Sequence, residues 1–175
     1  MMETSEINQG LLDFIKASPS PFHAVDNIKK ELKKSGYTEL SEKDGWSILP
    51  GGRYFVSRNL SSLIAFRIPE YFCGGFMIAA AHSDSPTFKI KDNPELDGPE
   101  NYVRINAERY GGMIFDSWFD RPLSAAGRLV VRDGGSITAK LVSLERDILL
   151  IPHVAIHMLN PNNGIIYNPA SDLVP

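Results

Sequence analysis

The stretch Gly75–Pro86, GFMIAAAHSDSP, constrains this chain more than any other. Small and apolar residues run from Phe76 to Ala81, lead into His82-Ser83-Asp84, and are closed by Pro86. A run of that length and texture reads as a strand buried on both faces, which a parallel or mixed sheet with flanking layers accommodates. An α/β fold follows. Side chains alternate along a strand, so His82 and Asp84 project to one side and Ser83 to the other. Pro86 has no N–H for a ladder, so the strand should end beside the acidic residue. Open α/β sheets keep their ligands at strand ends, which makes His82 and Asp84 the leading functional candidates.

The 175 residues suffice for one ordinary domain or portions of two. With 43% hydrophobic and 22% charged residues the composition is that of a soluble globular protein. A formal net charge of −3 gives no electrostatic reason to expect nucleic acid or an anionic membrane as partner. The single cysteine, Cys73, excludes an intrachain disulfide. Together with a start that lacks a basic-then-apolar signal, this points to the cytoplasm. No apolar run approaches the roughly 20 residues that span a bilayer.

Two helices are predicted first. Residues 5–17 bring Ile7, Leu11, Leu12, Phe14 and Ile15 close to one face despite Gly10. Ser20 is a suitable N-cap and Pro21 suits the first helical position, so a second helix runs to about Ser35 and stops at Gly36. It turns Ala24, Val25, Ile28 and Leu32 inward and leaves Lys29, Lys30, Lys33 and Lys34 as a solvated face near its C-terminus. Arg53–Arg58 and Leu63–Ile68 alternate as neighbouring strands joined by Asn59-Leu60-Ser61-Ser62. The turn-forming run Asp92–Asn101 predicts a domain boundary near residue 92. Beyond it the pattern is β: Tyr102–Glu108, Gly127–Arg132, Ser136–Ser143 and Asp147–Ile151, with Asp133-Gly134-Gly135 as a hairpin turn. Asn160–Pro175 reads as a loop or linker, as though more chain should follow.

On residues alone, His82-Ser83-Asp84 supports two readings. A carboxylate bonded to one imidazole nitrogen fixes the tautomer and raises the basicity of the other, the arrangement of a metal-ligating histidine. The same pair also serves as a structural strand-end contact. His153 and His157 lie four apart and would share a helical face, but Pro152 and the strand-like run before it favour an extended, structural role. His23 follows a helix start and is expected to cap or pack. Asp120 and Arg121, in Trp118–Pro122, are expected to bond backbone or each other in a turn. Cys73 has no basic neighbour and is expected to be buried and inert.

Four separated strings, Ser18–Ala24 (SPSPFHA), Ala81–Pro86 (AHSDSP), Tyr110–Gly127 (YGGMIFDSWFDRPLSAAG) and Ile151–Met158 (IPHVAIHM), resemble in sequence and order the N-terminal portion of the aspartyl aminopeptidase family of zinc metallopeptidases. The resemblance implies a partial zinc-peptidase-like αβα domain over residues 1–91, followed over 92–175 by part of an inserted β-rich domain that mediates oligomerisation. It implies two zinc ions bridged by a carboxylate, with His82 as a metal ligand and Asp84 as the acid that orients it. It also implies removal of an N-terminal residue, preferably Asp or Glu, from peptide substrates, with His157 reaching a neighbouring subunit's active site and His153 structural. The deblocking aminopeptidases share the His-x-Asp and the insert layout, but the strings at 110–127 and 151–158 resemble them less.

The family's bridging aspartate, its adjacent glutamate pair, a further acidic ligand and a C-terminal histidine have no counterparts here. No Glu-Glu pair occurs in the chain. These 175 residues alone are therefore expected to lack peptidase activity and to need the missing C-terminal part of the enzyme. The alternative is a stand-alone, non-catalytic self-association or interaction protein derived from the family. As a partial domain, the chain would have strands lacking their sheet neighbours and should oligomerise, swap elements or aggregate unless the missing part is present.

Overall fold

The structure is a computed structural model in which residues 4–71, 74–153, 155, 167–168 and 173 are described. It is a mixed α/β structure that divides into two compact units, Met1–Asp84 with Ala126–Ser143, and Ser85–Ala125 with Leu144–Pro175.

The first unit opens with α1 (Thr4–Ala17) and α2 (Pro21–Lys34). The start of α2 is fixed locally: the Ser20 backbone is extended and its Oγ accepts the His23 N–H at 3.4 Å, while Pro21 fills a position that needs no donor. Its end is a Schellman motif. The Tyr37 N–H donates to the Leu32 carbonyl and the Gly36 N–H to the Lys33 carbonyl, each at 3.0 Å, with Gly36 at φ +78°. Asn27 donates to the Ala17 carbonyl at 2.9 Å, tying the end of α1 to α2. The expected apolar stripe of α1 forms, but Ile7, Leu11, Leu12 and Ile15 are exposed. Lys30, Lys33 and Lys34 are exposed as expected, whereas the Lys29 side chain is only 19% exposed; Lys29 and Lys33 both reach Glu39, at 2.6 and 2.8 Å.

A three-stranded sheet follows in the order β1 (Thr38–Leu40), β2 (Arg53–Arg58), β3 (Ser62–Arg67), parallel then antiparallel. Tyr54, Phe55 and Val56 on the central strand are buried, so β2 has packing on both faces and forms the core with Ala24 and Val25 of α2. Asn59 and Leu60, at φ +54° and +60°, make the β2–β3 turn. The hairpin of β6 (Ala126–Asp133) and β7 (Ser136–Ser143) belongs to this unit. Gly134 and Gly135 form its two-residue loop with both φ positive, the geometry that the Asp-Gly-Gly pattern predicts.

One expectation fails here. The run Phe76–Ala81 is neither a strand nor buried: Phe76, Met77 and Ile78 are 87% or more exposed. A doubly buried strand needs ladder partners at its edges and layers on its faces, and none of the described strands pairs with this run.

The second unit holds β4 (Thr87–Asp97) and β5 (Val103–Tyr110), an antiparallel pair. Asp92–Asp97, expected to begin a turn-rich boundary, is instead the second half of β4. Its turn formers are absorbed by a register shift between Ile90 and Glu95 that contains Pro94, a residue with no N–H to give to a ladder. The Asp147–Ile151 strand shrinks to two isolated bridges, Phe119 with Ile151 and Leu123 with Leu149. Asp120 at φ +53° and Pro122 interrupt the partner segment and prevent a continuous ladder. Phe119, Ile151 and Leu173 form the core, with Phe88, Phe115, Trp118, Leu123 and Tyr167 packed around it. Among the described residues, no helix is long and apolar enough to cross a membrane.

Candidate metal site

His82 and Asp84 stand at the polar end of the exposed run in the first unit. Although no strand forms there, the two side chains meet: His82 Nδ1 lies 2.9 Å from Asp84 Oδ1. An ionised carboxylate only accepts, so in the neutral ring the proton sits on Nδ1 and the lone pair on Nε2. The His82 side chain is 91% exposed and that of Asp84 29%. Nε2 is therefore accessible, while the acid behind it is partly shielded. This is the tautomer and orientation of a metal-ligating imidazole.

Ser83, between them, makes a separate contact: its Oγ donates to the Ser61 carbonyl in the β2–β3 turn at 2.9 Å. The same turn is held by Arg128 of β6. Its Nη1 donates to the Asn59 carbonyl at 2.8 Å, and its guanidinium lies 4.5 Å from the centre of the Phe22 ring. Sequence reasoning placed Asn59 and Ser61 in the strand-joining turn but linked neither to Phe22, Arg128 or His82, because no local pattern joins residues 22, 59, 82 and 128.

The donor set fits zinc as one ligand with its orienting acid. Among the described residues, no group of three or more His, Cys, Asp or Glu side chains is placed to hold a metal ion. A catalytic zinc normally takes three protein ligands, so the described residues supply part of a site.

In the second unit, Asp120 accepts the His153 backbone N–H at 2.9 Å, and Arg121 donates to the Ser117 carbonyl at 3.0 Å. Both serve a turn, as expected. His153 is likewise structural: its ring meets Phe119 edge-on at 4.9 Å, and its Nε2 lies 3.3 Å from the Tyr167 hydroxyl, which donates to Asp116. The bond to Asp116, with burial and the nearby negative charge, raises the Tyr167 pKa above the ordinary phenol value. No local pattern announces this Asp–Tyr–His chain, which spans 51 residues. His23 braces the Ser20 cap of α2, its Nδ1 lying 2.7 Å from Ser20 Oγ. His157 and Cys73 lie outside the described residues.

Known proteins match this chain in sequence and fold. The family described as aminopeptidase I zinc metalloprotease (M18) matches residues 14–175. A probable M18 family aminopeptidase 2 of Clostridium acetobutylicum is 47% identical over 100% of this chain and 42% of its own length. One from Pseudomonas aeruginosa is 43% identical over 98% of this chain and 40% of its own. The chain thus spans about two fifths of the curated relatives it matches. Among solved structures, Chaetomium thermophilum mApe1 superposes with a TM-score of 0.86 at 36% identity, over 97% of this chain and 39% of that one. A chain of the S. cerevisiae mApe1 dodecamer gives 0.76 at 30% identity, over 86% and 36%. The match across residues 14–175, with its strong fold agreement, shows that the chain belongs to the aminopeptidase I zinc metalloprotease family, M18.

Proposed function

We propose that these residues form the N-terminal part of a two-zinc aminopeptidase that removes N-terminal residues, preferably Asp or Glu, from peptides. The observation that carries the reading is the His82–Asp84 pair, with its proton on Nδ1 and Nε2 exposed. Zinc at such a site supplies a Lewis acid that polarises the scissile carbonyl and lowers the pKa of water. His82 would be one of its ligands through Nε2, and Asp84 would hold the ring in register and increase its basicity. In this reading residues 1–91 contribute to the catalytic α/β domain and residues 92–175 to an inserted β-rich domain through which subunits associate. His157 would then stabilise the transition state in a neighbouring subunit. One relative, S. cerevisiae mApe1, is described as a dodecamer, which supports a homo-oligomer. We place the protein in the cytoplasm.

Residues 1–175 alone would be inactive, because one imidazole and its carboxylate fall short of a catalytic zinc site. The test compares this chain with the polypeptide isolated from its source cells, measuring release of N-terminal Asp, Glu, Ala and Leu from short peptides with added zinc. Preferential release of Asp or Glu by the source polypeptide, lost on chelation and absent from residues 1–175, is the expected result. Equal release of neutral residues would remove the acidic preference, and turnover by residues 1–175 would remove the claim of inactivity.

A second reading, a non-catalytic self-association protein, draws on the exposed apolar residues Ile7, Leu11, Leu12 and Ile15 of α1. It predicts a source polypeptide of 175 residues that forms a compact oligomer without zinc.

A further inference from the structure

We propose that Ser83 and the Arg128-held β2–β3 turn are positioning elements for the metal-binding edge of His82. This rests on the reading of His82 as a zinc ligand. The residues before and after His82 belong to no strand, so the sheet ladder does not fix its place. The bond from Ser83 Oγ to the Ser61 carbonyl, at 2.9 Å, ties this segment to the sheet across 22 residues of sequence.

The anchor point is itself built. Ser61 closes a turn in which Asn59 and Leu60 both hold positive φ, an uncommon conformation for residues other than glycine. The Ser61 N–H donates to the Arg58 carbonyl at 3.2 Å, and Arg128 grips the Asn59 carbonyl from β6 at 2.8 Å. Phe22, at the start of α2, lies under the guanidinium at 4.5 Å. A continuous series of contacts therefore runs from Phe22 through Arg128, the turn and Ser83 to the imidazole.

The chemical consequence concerns geometry. The Ser83 hydroxyl is engaged by the Ser61 carbonyl, while His82 Nδ1 pairs with Asp84 and the His82 side chain stays 91% exposed. With the Ser83 side chain tethered, the backbone between residues 82 and 84 is held in place, and the Nδ1–H to carboxylate bond stays formed. Releasing the tether lets the ring sample other rotamers and the Nε2–H tautomer, which has no lone pair at Nε2 for a metal.

The test uses the protein to which these residues belong, labelled with nitrogen-15 on histidine, at a pH where the imidazole is neutral. The two ring-nitrogen shifts of His82 report the tautomer, and zinc titration followed at the same resonances reports affinity at that residue. Ser83→Ala should raise the Nε2–H fraction and weaken zinc binding about fivefold, the factor expected for one net hydrogen bond. Ser83→Thr, which keeps the hydroxyl, should restore both. Arg128→Gln removes the grip on Asn59 from outside the segment; it should move tautomer and affinity in the same direction by a smaller factor, and gives the readout if Ser83→Ala fails to fold. Wild-type tautomer and affinity in Ser83→Ala, or in Arg128→Gln when only that variant folds, would overturn the inference. Undiminished zinc binding in His82→Ala would instead overturn the assignment of His82 as a ligand, a separate failure.

Discussion

Arg128 joins the β6–β7 hairpin to the N-terminal helices and the central sheet, and its removal has a cost that can be worked out from the contacts. Its guanidinium is 4.5 Å from the Phe22 ring centre, in a partly exposed residue, a cation–π contact worth about 0.5–1 kcal/mol. Its bond to the Asn59 carbonyl at 2.8 Å has a charged donor and adds about 1.5 kcal/mol. Arg128→Ala should therefore destabilise the first unit by about 2 kcal/mol. With a urea dependence of roughly 1–3 kcal/mol per molar, the midpoint should fall by about 1 M. Phe22→Leu retains bulk but removes the π face, so a double-mutant cycle isolates the ring–cation contact at about 0.5–1 kcal/mol. The assay is urea unfolding of the four proteins, followed by tryptophan fluorescence and circular dichroism. Additivity of Arg128→Ala and Phe22→Leu within about 0.3 kcal/mol would refute the contact.

Two titrations have a definite sign. The Tyr167 pKa is raised in the folded state, first by its bond to Asp116, so its contribution is complete below the ordinary phenol pKa and lost as pH rises through the raised value. Tyr167→Phe should abolish that alkaline loss, and an unchanged pH–stability curve above about pH 10 would contradict it. At Glu39, burial pushes the carboxyl pKa up, but the bonds and charges of Lys29 and Lys33 outweigh it and the net shift is downward. Its contribution is present above the ordinary carboxyl pKa and lost as pH falls through the lowered one; Glu39→Gln should flatten acid unfolding in that window. A curve that keeps its slope would count against the pairing.

The features legible in the sequence are those whose causes are local. Ser20, Pro21 and Gly36 each act within a few residues, so the bounds of α2 could be read directly. Two positive φ angles in a row need glycine or a tolerant residue, so Gly134-Gly135 announced its hairpin. Phe76–Ala81 misled because burial depends on neighbours far away in the chain, which no periodicity within the run contains. Pro94 misled in the opposite way: a proline inside a strand is permitted once a bulge releases it from the ladder. At the site, His82 and Asp84 were legible because they stand two residues apart, close enough for their side chains to meet even without a strand. The Ser83–Ser61 bond spans 22 residues and the Tyr167–Asp116 bond 51, distances over which no spacing rule operates.

The central claim is that His82 ligates zinc in the protein to which these residues belong. The direct measurement is the zinc content of the polypeptide isolated from its source cells, for the wild type and for His82→Ala. The account predicts about two zinc ions per chain in the wild type, as in two-metal hydrolases, and a loss of at least one in the variant. Equal zinc in both proteins, or none in the wild type, would contradict it.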